Sequence, residues 1–135
     1  MSELDVSSSE TTYRRIQPVL VVDDPKAPTG KRASSAAFND DNDGSPMSVY
    51  LKSIVYGIGC DKSSVADGKE KGWGVAATPV QKFLDEEQRV KPAPVTNAKI
   101  PHICDRAHAL VVGDKTSKKR RERLAKASPI VYIVP

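Results

Sequence analysis

The sequence predicts a small α+β domain with a mixed sheet, two or three helices and a carboxy-terminal β-α-β unit. Three observations carry this class. The chain has 135 residues, the length of one domain, enough to bury about two thirds of its unfolded surface. Its apolar residues are mostly Val, Ile, Leu and Ala, with aromatics at 5%, and no apolar run is longer than Ile130 to Val134. The last third shows strand, helix and strand patterns in turn, joined by short connections.

Taken in order, residues 1–12 (MSELDVSSSETT) are acidic, hydroxyl-rich and short of bulky side chains. Such a segment cannot bury enough surface to offset its ordering entropy, which predicts a mobile tail ahead of a single domain over 13–135. YRRIQPVLVV condenses into a strand at Val19 to Val22, with Pro18 at its start because proline donates nothing to a ladder. Residues 23–32 (DDPKAPTGKR) form a turn-rich connection. Ser45 followed by Pro46 has the form of a helix start. The segment 47–56 is accordingly read as a helix with Val49, Tyr50 and Ile54 near one face, and strand is the competing reading. Thr78, Pro79 and Gln81 make a capping-box pattern that opens a helix with the stripe Val80, Phe83 and Leu84. VKPAPVTNAKIP, with three prolines, stops it. AHALVVG then reads as a strand, TSKKRRERLAKAS as a helix and PIVYIV as a strand. As parallel neighbours, those two strands would make a right-handed crossover unit.

Composition narrows location and partners. No run approaches the roughly 20 apolar residues that cross a bilayer. The first thirty residues also lack the order of a secretory signal. A cytoplasmic protein with Cys60 and Cys104 as reduced thiols is expected. The net charge of +4 is unevenly placed. Residues 1–44 carry five basic and eight acidic side chains, 45–114 nine and eight, and 115–126 seven and one. One short segment therefore holds the whole excess, which points to an anionic partner, either nucleic acid or an acidic protein surface.

The basic helix, 117–127, is the leading candidate site. Lys118, Lys119, Arg120, Arg121, Arg123 and Lys126 surround a narrow apolar stripe at Leu124, Ala125 and Ala127. Lys118 and Lys119 occupy the first turn, where the helix dipole disfavours cations. The preceding VVGDKTSKK has the strand, glycine, hydroxyl and helix order that offers backbone amides to an anion, with Thr116 or Ser117 as cap and Lys115 adding charge. It lacks the Gly-Lys-Ser/Thr ending of a P-loop.

His108 leads the remaining candidates. Strand alternation puts it on one face with Leu110 and Val112, in a pocket or at the core's edge, where a histidine serves as base or as a satisfied polar group. Arg14, Arg15 and Arg32 are the basic side chains for a pocket there. An inward arginine at 14 or 15 demands an anion, which is Asp23, Asp24 or a ligand. Cys60, His102, Cys104 and His108 are the chain's only cysteines and histidines, a four-ligand count for zinc, but the spacing lacks the tight pairs of structural zinc sites. No metal and no cofactor are expected. NDDNDG (39–44) imitates a calcium loop until Tyr50 falls where the bidentate Glu must be.

SSAAF (34–38), DGSPMSVYL (43–51) and AHALVVG (107–113), followed by a basic helix, resemble a group of small uncharacterised bacterial proteins. The resemblance covers about 13–135. It implies a bacterial source and a single domain, and it transfers no activity and no functional residue. Without a complete catalytic constellation, the chain reads as a small binding or adaptor protein rather than an enzyme. A small enzyme or ligand-binding protein with a pocket at His108 and an arginine is the first alternative. A structural subunit, with an apolar patch around Val80, Phe83 or Tyr132, is the second.

Overall fold

Alternation of apolar side chains builds most of this molecule. The computed structural model describes residues 5–40 and 45–135. In chain order it contains β1 (Thr11–Ile16), β2 (Val21–Asp23), β3 (Lys31–Ala33), β4 (Met47–Leu51), α1 (Lys52–Gly57), α2 (Lys62–Val65), β5 (Gly74–Pro79), α3 (Val80–Asp85), β6 (Arg89–Pro92), β7 (His108–Val112), α4 (Lys118–Lys126) and β8 (Ile130–Ile133). Six strands form one sheet in the order β6-β7-β4-β1-β5-β8, while β2 and β3 make a separate two-stranded ribbon. All neighbours in the large sheet are antiparallel. The α+β class and the single small domain of the sequence reading hold.

The sheet is covered on both faces. Ile16, Met47, Val49, Ala76, Val90 and Val111 pack on one face beneath Phe38, Phe83 and Leu124. Tyr13, Tyr50 and Val75 pack on the other with Val55, Val65 and Cys104. Period-two alternation along β4 and β7 sends successive residues to these two cores. Val80 and Phe83 are fully buried, so the expected apolar patch around them is internal packing.

Several expected elements move. Met47, Val49 and Leu51 are buried at alternate positions, and this makes 47–51 a strand; the helix begins only at Lys52. Ser45 and Pro46 precede a strand rather than a helix. The expected strand at 19–22 is a 3-10 turn over Pro18–Leu20 followed by β2, because the chain bends where Pro18 cannot pair. The central strand is β1, which includes Thr11 and Thr12 from the expected tail. Upstream of it, Val6 donates its N–H to the Val90 carbonyl at 2.9 Å. Asp41, Asp43 and Gly44 of the calcium-like loop lie outside the described residues.

Thr78 does not cap α3. Its strand continues through Pro79, and no side chain caps the helix. Thr12 Oγ1 donates to the Thr78 carbonyl at 2.9 Å, and Ser128 Oγ donates to the Leu124 carbonyl at 2.6 Å. Ser128 has only one hydroxyl proton, so in the 2.6 Å contact between Thr78 Oγ1 and Ser128 Oγ the threonine is the donor. This buried hydroxyl chain ties the end of α4 to β5 and β1. Gln81 bonds Asp85 one turn on instead of reaching back.

The strand, helix and strand order at the carboxy terminus is present, and β7 and β8 run in the same direction. They are not neighbours, since β4, β1 and β5 lie between them. α4 therefore crosses much of the sheet's width instead of joining adjacent strands. This placement lays its inner row, Leu124 and Ala125, on the larger core and turns its outer row away from the sheet. Among the described residues, no helix is long and apolar enough to cross a membrane.

Candidate anion-contact surface

The cations of 115–126 divide into two sets once their partners are known. Lys115, expected as an anion contact, is nearly buried; its Nζ lies 2.6 Å from Asp40 Oδ1 and donates to the Gly113 carbonyl. The Arg121 guanidinium donates back to the Lys115 carbonyl at 2.5 Å. Arg123 makes a two-pronged pair with Glu86 at 2.8 and 2.6 Å. The Glu86 side chain is 9% exposed, and the arginine's hydrogen bonds hold its carboxyl below the usual glutamate range. Arg120 reaches the exposed Glu87 at 3.3 Å. All three arginines of α4 are thus engaged by the fold.

Lys118, Lys119 and Lys126 form the second set. They are exposed, and none takes part in an ion pair among the described residues. Positions 118, 122 and 126 repeat every four residues and so lie on one side of the helix, with Glu122 as the only acid among them. Lys126 also borders a cleft of about 530 Å3 between the β2–β3 ribbon and the end of α4, where Lys26 and Arg32 stand with Asp23 and Asp24. Arg32 is held by Asp24 at 3.3 Å and donates to the Ala33 carbonyl. Its proximity to Ser34 and Ser35 along a smaller adjoining hollow is therefore not that of a free guanidinium.

The turn before α4 is already filled. Ser117 caps the helix as expected, accepting from the Arg120 N–H. Asp114 Oδ1 accepts from both the N–H and the hydroxyl of Thr116, at 2.8 and 2.7 Å. These bonds, the Thr116 hydroxyl first, hold the Asp114 carboxyl below its ordinary range. The Asp114 carboxylate thus takes the Thr116 N–H and the Ser117 hydroxyl takes the Arg120 N–H, so two amides of this turn are bonded within the chain. The sequence signal for this was Asp two residues before Thr, an Asx-turn pattern.

His108 sits on the second face, above the smaller core, and pairs with Tyr50 across the β4–β7 ladder. Its Nδ1 is 2.8 Å from the Ala93 carbonyl, which only accepts, so Nδ1 carries a proton. Its Nε2 is 3.0 Å from Ser48 Oγ. Both nitrogens are committed within the fold. Arg15 lies over the same Tyr50 ring at 5.2 Å, and His108 meets that ring edge-on at 5.6 Å. Tyr50 is buried and fills the space between them. Burial raises its phenol, and the Arg15 guanidinium partly opposes the shift.

Arg14 points to the opposite face, donating to the Ala37 and Ser48 carbonyls at 2.8 and 2.5 Å. Arg14 and Arg15 share a hollow of about 280 Å3 with Asn39, Asp40 and Trp73, and His108 is not among the residues that line it. Histidine and arginines are brought to one tyrosine rather than to one cavity. Tyr50 was not singled out as a site residue, because its role comes from ladder register, which no local pattern encodes.

His102 accepts from the Cys104 N–H through Nδ1 at 3.0 Å, and its Nε2 lies 3.2 Å from the Asp67 carbonyl. The first bond closes the local turn, and the second ties it to the segment that follows α2. Cys104 is buried beside Cys60; burial pushes its thiol up to about 11, with the Cys60 charge adding to the shift. Among the described residues, no group of three or more His, Cys, Asp or Glu side chains is arranged to hold a metal ion. Compared with family models, characterised proteins and solved structures, the chain gives no match in any of the three.

Proposed function

We propose that the protein is a small cytoplasmic binding protein that contacts the phosphate backbone of a nucleic acid through the outer row of α4. One observation carries this reading: Lys118, Lys119 and Lys126 are exposed without an ion-pair partner among the described residues, while the arginines of the same helix are bonded to Glu87, Lys115 and Glu86. Eight residues of helix separate Lys118 from Lys126, about 12 Å at 1.5 Å per residue. That length covers about three phosphates of one strand at 3.4 Å spacing. Lysine suits this partner as an unforked point charge, and it is depleted from protein–protein interfaces, whose anchors are aromatic or arginine side chains. α4 has no aromatic side chain, and its arginines are already bonded within the fold. The contact is then independent of sequence.

The test is fluorescence anisotropy with a labelled duplex across a salt series. Three phosphate contacts predict a slope of log K against log salt of about −2.7. Lys118→Glu, Lys119→Glu and Lys126→Glu together should abolish binding at low salt without changing the thermal midpoint. Salt-independent binding, an unchanged affinity of the triple variant, or equal binding to polyglutamate would overturn the nucleic-acid reading. Arginine reversals are unsuitable, because Arg123 and Arg121 hold the fold.

A further inference from the structure

The chain's two cysteines are distant in sequence, and the fold brings their turns side by side. Cys60 closes the turn after α1, its N–H donating to the Val55 carbonyl at 3.0 Å, and it directly precedes Asp61, the cap of α2. Cys104 opens the short 3-10 turn at Asp105–Ala107, with its N–H on His102 Nδ1 at 3.0 Å and its carbonyl accepting from Ala107 at 2.9 Å. α1, just before Cys60, packs against the turn just after Cys104. The Asp67 carbonyl, just past α2, lies 3.2 Å from His102 Nε2, and Ile103 shares a hollow with Ser63, Ser64 and Asp67. The two segments are therefore fastened together on both sides of the cysteines.

Both sulfurs belong to the smaller core, Cys104 fully buried and Cys60 half-buried, and the two thiols are free and in mutual contact. Gly57 and Gly59 are exposed, with open space where a Cβ would stand, which leaves Cys60 approachable from solvent. A reachable thiol beside a buried one is the arrangement of an attacking and a resolving cysteine. Burial disfavours the Cys104 thiolate and the Cys60 charge adds to this, whereas Arg15 opposes it. The Cys60 contribution vanishes once that sulfur is covalently bound.

We propose that Cys60 and Cys104 are a reversible thiol–disulfide site, closed by a small-molecule disulfide of the glutathione type. The Cys60 thiolate attacks one sulfur of the oxidant, forming a mixed disulfide and expelling one glutathione thiolate. Cys104 then gives up its proton and attacks the Cys60 sulfur, forming the internal bond and expelling the second glutathione thiolate. Two electrons pass from the pair to the oxidant, and the two cysteine protons end on the two glutathione thiols. The bond encloses a loop of about 45 residues, so it stabilises by restricting the unfolded chain. The pair lies on the smaller core, whereas α4 packs on the larger one, so the site works independently of the lysine row.

Mass spectrometry of the full chain after incubation with oxidised glutathione should show the loss of two hydrogens, with no maleimide-reactive thiol left and the starting mass restored by dithiothreitol. The thermal midpoint should rise by roughly 10 °C on closure. Cys104→Ser should stop with one glutathionyl group on Cys60. Cys60→Ser should stay unmodified while folded, because its remaining thiol is buried. A wild-type chain that keeps both thiols, or that holds a glutathionyl group without closing, overturns the proposal. So does a Cys60→Ser variant that reacts as readily as Cys104→Ser.

Discussion

The β6 and β8 edges belong to one sheet and are covered by different means. β6 has two basic residues and a proline at an outward position, and a segment from the other end of the chain bonds to it. β8 has four uncharged residues, and the β2–β3 ribbon lies against its start, where Arg32 bridges Pro129, Ala33 donates to the Ser128 carbonyl and Thr29 donates to the Ile130 carbonyl at 2.5 Å. Strand propensity alone would rank β8 as the better strand, rich as it is in Ile, Val and Tyr. A sheet's openness is thus decided by what faces outward at each end, independently of how well the interior strands pair.

The largest effect is expected where the β6 edge is anchored. Gly113 follows β7 at a φ of +127°, and a Cβ there would meet Gln88 Cα at 3.1 Å and the Glu87 carbonyl at 3.2 Å. Both residues belong to the turn that leads into β6. Gly113→Ala should cost about 2–4 kcal/mol, through backbone strain and displaced main chain. Urea unfolding measures this, and an unchanged midpoint would show that the β6 turn does not depend on this close approach.

A smaller change in stability should accompany a clearer change in association. Lys91→Val with Pro92→Val removes a charge and restores an outward N–H on β6. Stability should move by about 1 kcal/mol or less, since these are edge positions. Self-association should then appear in sedimentation equilibrium over a concentration series. If the doubly opened β6 edge stays inert, the Val6 strap alone closes it.

The smallest effect is an asymmetry with pH. Glu86 lies just before β6, and Arg123 holds its folded pKa below the ordinary value. The stability it contributes is therefore fully present above the usual glutamate pKa and is lost as pH falls through the depressed folded value. Amide exchange in α3 and β6 should quicken in that acidic window before exchange in β8 does. Glu86→Gln should remove the difference. Simultaneous loosening of both edges would mean that this carboxylate does not set the acid response of the β6 end.

Much of the carboxy-terminal third was legible. His108–Val112, Lys118–Lys126 and Ile130–Ile133 fall within the strand, helix and strand expected there, because each pattern is long or strongly biased. Ser117 was legible as a cap for the same reason. The segment 47–56 was not, since Val, Ile and Tyr suit either element and the choice rested on burial at Met47, Val49 and Leu51. Thr78 to Gln81 misled because a local capping pattern was outweighed by a tertiary partner, Ser128, fifty positions away. The basic helix was read correctly as a charged face, but the sequence could not separate its members. Glu86, Glu87 and Asp40, which engage Arg123, Arg120 and Lys115, lie far from them along the chain.

By itself, then, the sequence determined the α+β class, the aliphatic core, the charge concentrated at 115–126 and the terminal strand, helix and strand. These depend on composition and short-range periodicity, which the chain carries locally. The tertiary structure alone decided which cations are spent on the fold and which remain outward, that His108 rests against Tyr50 with both nitrogens engaged, and what covers each edge of the sheet. Each of those depends on register and on pairs distant in sequence, where a one-residue shift would exchange the inward and outward sets.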